Sequence, residues 1–384
     1  MKFTINTSTF LQILATVSKA VPQKGVTPAG ECFLVNVGAG SLVVTATNLE
    51  SSLVYSLKEE GSGALEVSGE GAFCVPARIF SDLVRAVSSE TVSVSCERAD
   101  RVDVSWGGGE SSLPAFPVAD FPAVEFPEWG TAVAFPAREL ADAVESVAYA
   151  AAVDPLRPVM ECVLVDLRPD GTTVAATDTR VLVCRDVPSV RVPEERACQV
   201  LIHGRCMSVL KGVIAKNAEE IVLETSADKV SFTCGNLRAV FRRVAGKFPA
   251  YRSVIPPGGT TLVSVHRETL VSALRRAGLF TDGRSGYVKI GVGVDPEGGT
   301  LQVDAQDVGF GVSSTETVAV AGASGEPLQV GFKAARLTEM LTHFSCSTLE
   351  IAFNGGRRAA LVRPSQEERA DEPAYGIIMP VQVS

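Results

Sequence analysis

Apolar side chains recur three times along the chain in the same order, first in a short alternating stretch and then at i, i+4 and i+7. The three segments begin at Phe3, Ala132 and Thr261, so each is 129 residues from the next. Alternation is typical of a strand, and the second spacing places one apolar stripe on a helix. The expected helix stripes are Phe10, Leu14, Val17; Leu140, Val144, Val147; and Leu270, Leu274, Ala277.

A second strand–helix unit follows each of the first three, beginning at Ala72, Gln199 and Leu328. Long alternating stretches with Gly- or Asp-containing turns lie between the two helices of each third, and another hairpin follows the second helix. Two helices and many antiparallel strands predict an α+β domain with its helices on one side of the sheet. We therefore expect three such domains, residues 1–127, 128–256 and 257–384, joined by linkers at 116–130 and 254–259.

Composition excludes several classes of protein. With 46% hydrophobic and 21% charged residues the chain is expected to fold. The chain contains no run of 18 apolar residues, so no membrane span is predicted. The start MKFTINTSTF alternates between apolar and polar residues and lacks the continuous apolar region of a secretory signal. Nine cysteines without a C-x-x-C pair, most of them in apolar stretches (Cys32, Cys74, Cys162, Cys184 and Cys234), indicate small buried side chains and not a metal or redox centre.

The net charge of −9 argues against a protein that binds nucleic acid electrostatically, but the charge is unevenly distributed along the chain. Six predicted helical stretches (8–19, 77–89, 137–149, 203–217, 265–278 and 332–344) together carry +6, which leaves −15 for the rest of the chain. Exposed helix faces are commonly charged, so one such helix means little. If the helices share a surface, however, that surface would face a polyanion. From the helix faces we expect this surface, which the polyanion would contact, to be lined by Arg78, Arg85, Lys211, Lys216, Arg275 and Arg276.

The inventory of catalytic side chains is small. His203, His266 and His343 are far apart in sequence, and the Gly-rich runs lack a phosphate-binding pattern. The sequence therefore gives no positive reason to expect an enzyme or a cofactor. A single-stranded nucleic-acid binder remains an alternative, but it should interleave aromatic and basic residues on strands, and aromatics make up only 6% of the chain. An enzyme with a hidden site at a domain boundary is the other alternative.

Four local segments, together with the triple repeat and the length, resemble the bacterial sliding clamp family, the DNA polymerase III beta subunits. The opening MKFT with its apolar helix and Pro28 is similar to the start of the family. ATDTRVLV at 176–183 resembles its A-T-D-G-H-R-L segment. GKFPAYRSVIP at 246–256 matches G-x-F-P-x-Y-x-x-V-x-P, and YGIIMPVQV at 375–383 resembles the family's terminus.

The resemblance implies a non-catalytic, cytoplasmic processivity factor that uses no cofactor. Two chains would form a head-to-tail homodimer, a six-domain ring with helices lining the hole around double-stranded DNA. Topology and not affinity would then retain the ring, and weak non-specific phosphate contacts would let it slide. The implied partners are the alpha subunit of the replicative polymerase, the clamp loader and other proteins with a clamp-binding motif, with no membrane partner.

The resemblance also assigns residues to sites. It implies a pocket for a short apolar peptide between the second and third domains. Without the other matches, Ile377, Ile378 and Met379 would suggest only an ordinary final strand. Lys24 and Arg205 match basic family positions near DNA, and Leu279 and Phe280 match an apolar pair at the dimer contact. The matching pocket positions are Met160, Thr177, Leu182, Pro249, Val254, Ile377, Ile378, Met379 and Pro380.

Some positions depart from the family pattern. Thr179, Arg180 and Val181 stand in place of Gly-His-Arg, which predicts a changed pocket wall and somewhat different peptide specificity. Asn48 stands where Asp is common, and the chain ends in VQVS. The stretch 106–109 opposite the apolar pair is Gly-rich, so we expect a weaker or differently built dimer contact. A chromosomal and a mobile-element origin both remain open.

Overall fold

A computed structural model describes residues 1–25, 28–59, 63–128, 130, 132–214, 218–283, 286–294 and 298–382. The α-helices alternate with groups of strands in the order that the sequence pattern predicts. Within the described residues they are α1 (Thr7–Val17), α2 (Ala77–Ala86), α3 (Ala137–Val147), α4 (Gly204–Val213), α5 (Arg267–Gly278) and α6 (Ala334–Thr342).

The strands fall into three similar groups. The first third contains β1 (Lys2–Asn6), β2 (Cys32–Gly38), β3 (Ser41–Thr47), β4 (Ser51–Lys58), β5 (Leu65–Gly69), β6 (Gly71–Pro76), β7 (Thr91–Arg98), β8 (Arg101–Trp106) and β9 (Gly109–Pro114). The second contains β10 (Ala132–Pro136), β11 (Cys162–Leu167), β12 (Thr172–Thr177), β13 (Val181–Val187), β14 (Cys198–His203), β15 (Glu220–Thr225), β16 (Lys229–Cys234) and β17 (Leu237–Arg242). The last contains β18 (Thr261–His266), β19 (Tyr287–Gly293), β20 (Thr300–Asp307), β21 (Val312–Val318), β22 (Val320–Gly325), β23 (Leu328–Lys333), β24 (Thr348–Phe353), β25 (Ala360–Pro364) and β26 (Ala374–Ile378).

Helix α1 shows how local sequence sets these elements. The Asn6 side chain accepts hydrogen bonds from the backbone N–H groups of Ser8 and Thr9, which caps the first turn. All nine apolar positions of the three predicted stripes are fully buried. Helices α2 and α4 end before the predicted helical stretches 77–89 and 203–217 do, at Ala86 and Val213.

One compact unit comprises Met1–Arg138 and Arg205–Arg243. It holds a five-stranded sheet in the order β5-β1-β7-β8-β9 and an eight-stranded sheet in the order β10-β15-β16-β17-β4-β3-β2-β6. Helices α1 and α2 meet through Phe10 and Phe80, whose ring centroids are 5.6 Å apart. The larger sheet continues from the first third into the second because β17 pairs with β4, with Leu237 opposite Tyr55.

The other compact unit comprises Glu139–Gly204 and Val244–Ser384. Its nine-stranded sheet has the order β14-β11-β12-β13-β26-β25-β24-β18-β22, and its four-stranded sheet the order β21-β20-β19-β23. Here β13 pairs with β26, with Val181 opposite Ile378, so this sheet joins the second third to the last. The strand pairs β4–β17 and β13–β26 therefore occupy equivalent places in the repeat.

The α+β class with helices and antiparallel sheets is confirmed. The two units divide the second third between them because each large sheet crosses from one third into the next. The three domain bounds stay a prediction. No described helix has the length and apolar composition needed to cross a membrane.

The cysteines behave as small core side chains. Cys32, Cys74, Cys162 and Cys184 are buried, whereas Cys234 is half-buried. Burial raises the pKa of the Cys74 thiol to about 12. Across the described residues, no group of three or more His, Cys, Asp or Glu side chains is arranged to hold a metal ion.

Candidate functional site

An apolar cavity of about 390 Å³ opens in the unit that holds the nine-stranded sheet. This volume lies within the range of small-ligand and peptide-anchor pockets. Most of the lining is aliphatic or aromatic, and one side chain is charged. The lining residues are Met160, Thr177, Thr179, Arg180, Val181, Leu182, Pro249, Ala250, Tyr251, Ser253, Val254, Ala359, Ile377 and Met379.

The floor of the pocket is formed by two neighbouring strands. Leu182 on β13 is paired with Ile377 on β26, and both side chains belong to the buried core beneath the cavity. Tyr251 closes one side, with its ring packed edge-on against Phe248 at 6.2 Å. Because successive side chains of a strand point to opposite faces, Ile378 faces the other way, and it is only 2% exposed.

The hairpin turn between β12 and β13 forms the pocket rim. Thr179 has φ +77°, a left-handed conformation that is uncommon for a residue with a branched Cβ. Its backbone N–H donates to Oγ1 of Thr177 at 3.0 Å. Oδ1 of Asp178 accepts from the N–H groups of Arg180 and Val181, both at 2.8 Å. These local hydrogen bonds hold the left-handed turn.

Two longer-range contacts fix this turn in the unit. The backbone N–H of Met379 donates to the carbonyl of Arg180 at 2.8 Å. The guanidinium of Arg336 on α6 forms an ion pair with Asp178, whose side chain is 9% exposed. The turn around residues 179–181 is therefore held even though its sequence departs from the family's Gly-His-Arg.

Polar groups lie behind the apolar wall. The Tyr251 hydroxyl donates to Oδ2 of the buried Asp166 at 2.8 Å, and Nε of Arg252 donates to the hydroxyl at 3.0 Å. Burial, together with the hydrogen bond to Asp166, raises the pKa of Tyr251 to about 12. The hydroxyl is therefore protonated at physiological pH. Its hydrogen bonds to Asp166 and Arg252 hold the ring at the wall of the cavity.

Seven of the nine expected pocket positions line this one cavity, and Ile378 and Pro380 do not. The sequence predicted a changed pocket wall at residues 179–181, and all three line the pocket. It missed Ala250, Tyr251 and Ser253, which neighbour Pro249 and Val254 in the same segment. It also missed Ala359, on the distant β24–β25 hairpin, which no local pattern pointed to.

The basic residues expected to face DNA are exposed wherever they are described. Arg85 forms an ion pair with Asp82 at 2.9 Å, and Arg276 is joined to Glu316 through two bonds of 2.6 and 2.8 Å. Lys216 lies outside the described residues. The exposed members of this expected set also include Lys24, Arg78, Arg205, Lys211 and Arg275.

The pair expected at a dimer contact is unevenly exposed. Leu279 at the end of α5 is 82% exposed, whereas Phe280 is half-buried. Val308 and Phe310, in the turn between β20 and β21, are 80% and 86% exposed, and no sequence pattern singled them out. Large apolar side chains this exposed mark an interaction surface when they cluster.

Three models of one family match the chain in series. They are the N-terminal, central and C-terminal domains of the DNA polymerase III beta subunit, which match residues 1–125, 134–250 and 252–382. The chain belongs to the DNA polymerase III beta subunit family. Curated relatives named beta sliding clamp include those of Halalkalibacterium halodurans, 23% identical over 96% of this chain and 97% of the relative, and Synechococcus elongatus, 25% identical over 96% of each.

Solved structures of the family have the same fold. A DNA polymerase sliding clamp from Bacillus subtilis superposes with a TM-score of 0.93 at 21% identity, and a DNA polymerase III beta subunit from Thermotoga maritima with 0.88 at 24%; both alignments cover all of each chain. The resemblance found in the sequence is confirmed. So is the function that it implied, a sliding clamp that acts as a non-catalytic processivity factor and is not an enzyme.

Proposed function

We propose that two copies of this chain close head to tail into a ring around duplex DNA and carry replication proteins in the pocket of residues 160–182, 249–254 and 359–379. The observation that carries the proposal is a pair of unused strand edges. Within the chain, β4 pairs with β17, and the equivalent β13 pairs with β26. The third equivalent pair would be β21 with β9, and each is the last strand of its sheet among the described strands.

The repeat predicts how these edges meet. By analogy with Ser51 opposite Phe241, Val312 on β21 should lie opposite Leu113 on β9 of the partner subunit. A contact between unlike edges is heterologous, and it makes a ring when the rotation closes. Two such pairings per dimer would cover the β9 and β21 edges of both subunits, and strand edges left exposed invite aggregation.

The exposed Leu279 supports the same contact. Its equivalents in the first two thirds are Lys19 and Tyr149, and each contacts the second helix of the next third or the residue that follows it. The Lys19 ammonium donates to the carbonyl of Gly212 on α4, and Tyr149 stacks on His343, directly after α6, with ring centroids 3.8 Å apart. Leu279 is the third such position and is left uncovered. In the dimer it should pack on α2 of the partner subunit, as Lys19 does on α4.

DNA would be held by topology. The exposed cations of the helices are few, and each phosphate that one neutralises contributes a single counterion-release term. Such contacts favour sliding over tight binding. The polymerase alpha subunit, the clamp loader and other proteins with a clamp-binding motif are the partners we propose for the pocket, and a bacterial replication role supports the expected cytoplasmic location.

The ring is tested by solution mass and by retention on DNA. The chain should sediment as a dimer of twice 40.4 kDa and, once loaded, stay on circular DNA but leave the same DNA after linearisation. Leu279→Asp should yield monomers because it buries a charge in the contact. Val153→Asp, at a site 88% exposed, is the matched control and should remain dimeric. A wild-type monomer, or equal retention on both DNA forms, would refute the ring.

The pocket is tested separately with a short apolar clamp-binding peptide. Met379→Ala removes an apolar lining side chain that is 42% exposed, and it should weaken peptide binding about tenfold while the dimer persists. Fluorescence anisotropy measures the affinity and sedimentation the assembly. Loss of the dimer together with binding would mean that Met379 is a structural residue of the final strand.

A further inference from the structure

A second cavity, of about 820 Å³, lies in the same unit as the apolar pocket. Its walls are the edge strand β23, the turn between β24 and β25, and the last described residues of the chain. The side chains and backbone that line it are Lys289, Gln329, Val330, Gly331, Asn354, Gly355, Gly356, Arg357, Arg358, Val381 and Gln382. Of these positions, the sequence pointed only to Val381 and Gln382, as part of the final segment YGIIMPVQV.

The two cavities are neighbours, because two chain segments run from one to the other. Ala359 lines the apolar pocket, and the adjoining Arg358 lines the second cavity. Met379 lines the pocket, and Val381 lines the second cavity. At a rise of about 3.3 Å per extended residue, these steps span roughly 3–7 Å, less than the length of a short peptide.

The second cavity has one sign of charge. Its only charged lining side chains are Lys289, Arg357 and Arg358, and within the described part of the chain none of them has an ion-pair partner. Arg180, which lines the apolar pocket, is also a cation. On a chain whose net charge is −9, a cavity lined by three cations beside an apolar pocket is complementary to an acidic ligand.

The cationic turn is held in place by its backbone. Gly355 has φ +74°, and a Cβ at Gly356 would come within 2.9 Å of the carbonyl oxygen of Gln329 on β23. On the other wall, the N–H of Val381 donates to the carbonyl of Gly331 at 2.8 Å. The arginines therefore project from a turn packed against a strand, which lowers the entropy cost of holding a ligand between the two walls.

We propose that one extended partner peptide occupies both cavities, with its apolar anchor residues in the pocket and its adjoining acidic side chains against Lys289, Arg357 and Arg358. This inference rests on the proposed role of the pocket, and it adds a class of partner: peptides in which a clamp-binding motif is flanked by Asp or Glu. Partners with such a flank would outcompete those with a neutral one, and added salt would reduce the difference.

The test compares three peptides with the same apolar motif on the full-length wild-type chain. One has a Gly-Ser extension at both ends, one has four Glu residues on the N-terminal side, and one has them on the C-terminal side. We expect one acidic peptide to bind about three- to tenfold tighter than the neutral peptide at low salt, since exposed ion pairs contribute little individually. This gain should largely disappear at high salt.

Charge reversal locates the effect. Arg358→Glu should abolish the gain from the acidic extension, measured as the ratio of acidic to neutral peptide affinity. Arg196→Glu changes the net charge of the chain equally at an exposed site outside both cavities and should keep the gain. If neither extension tightens binding, or both variants lose the gain equally, the inference is overturned. If the neutral peptide itself does not bind the wild-type chain, it is the proposed function of the pocket that fails.

Discussion

Replacing Thr179 by glycine should stabilise the chain, although a rim side chain of the pocket is removed. Thr179 is held at φ +77° by hydrogen bonds that involve its backbone and its neighbours, and its own side chain is exposed. A residue with a Cβ in the left-handed region costs about 1–2 kcal/mol. Glycine avoids this strain but loses about 0.5–1 kcal/mol in extra chain entropy on folding. The expected net gain in unfolding free energy is the difference between the two, with a central value of about 0.75 kcal/mol.

Thermal unfolding measures this gain. A stabilisation of this size should raise the midpoint of the unit that contains the pocket by roughly 1–4 °C. Thr179→Ala retains a Cβ and should give only a small part of the increase. Leu49→Gly is a matched variant in the other unit, since Leu49 has φ +73° at the equivalent turn and is 68% exposed. An unchanged or lowered midpoint for Thr179→Gly would refute the strain argument.

Two further perturbations follow from hydrogen bonds and charge. Asp178→Ala leaves two backbone N–H groups and Arg336 without their acceptor, so we expect a loss of about 1–3 kcal/mol, measured by thermal unfolding, and a neutral variant would contradict the role of the turn. The Glu368 carboxylate accepts hydrogen bonds from Ser347 and Thr348, which lowers its pKa to about 2. This contribution to stability is complete above the unfolded pKa of about 4.5 and is lost as the pH falls toward 2. Glu368→Gln should therefore flatten the acid branch of the stability–pH profile between these values, and an unaltered profile would show that the bonds contribute nothing.

Much of the fold and part of the site followed from local patterns. The stripe containing Phe10, Leu14 and Val17 is buried as the 3.6-residue period predicts, and the triple repeat predicted three similar α+β parts. Short-range periodicity suffices here, because a helix or a strand must bury its apolar side against the rest of the protein. The segments that resemble the family also predicted that Met160, Thr177 and Met379 share one pocket, and all three line the same cavity.

The tertiary structure decided which distant strands meet. The pairing of β13 with β26 sets Leu182 beside Ile377 and turns Ile378 away, and a register shifted by one residue would exchange Ile377 with Ile378. No pattern along the chain specifies that register. No pattern along the chain places Ala359 in the apolar pocket or Arg358 in the second cavity. That second cavity forms only where the hairpin turn between β24 and β25 packs against β23, which belongs to another sheet.

The sequence by itself determined the family, the repeat and the kinds of element, because these depend on residue type and spacing. At residues 179–181 it predicted an altered pocket wall, and the structure shows a left-handed turn formed by Thr179. Whether a threonine adopts that conformation depends on Asp178, Arg336 and the backbone of Met379, which come together only in the folded unit. Contacts between residues far apart in sequence are fixed by packing and sheet register, and for that reason only the tertiary structure decided them.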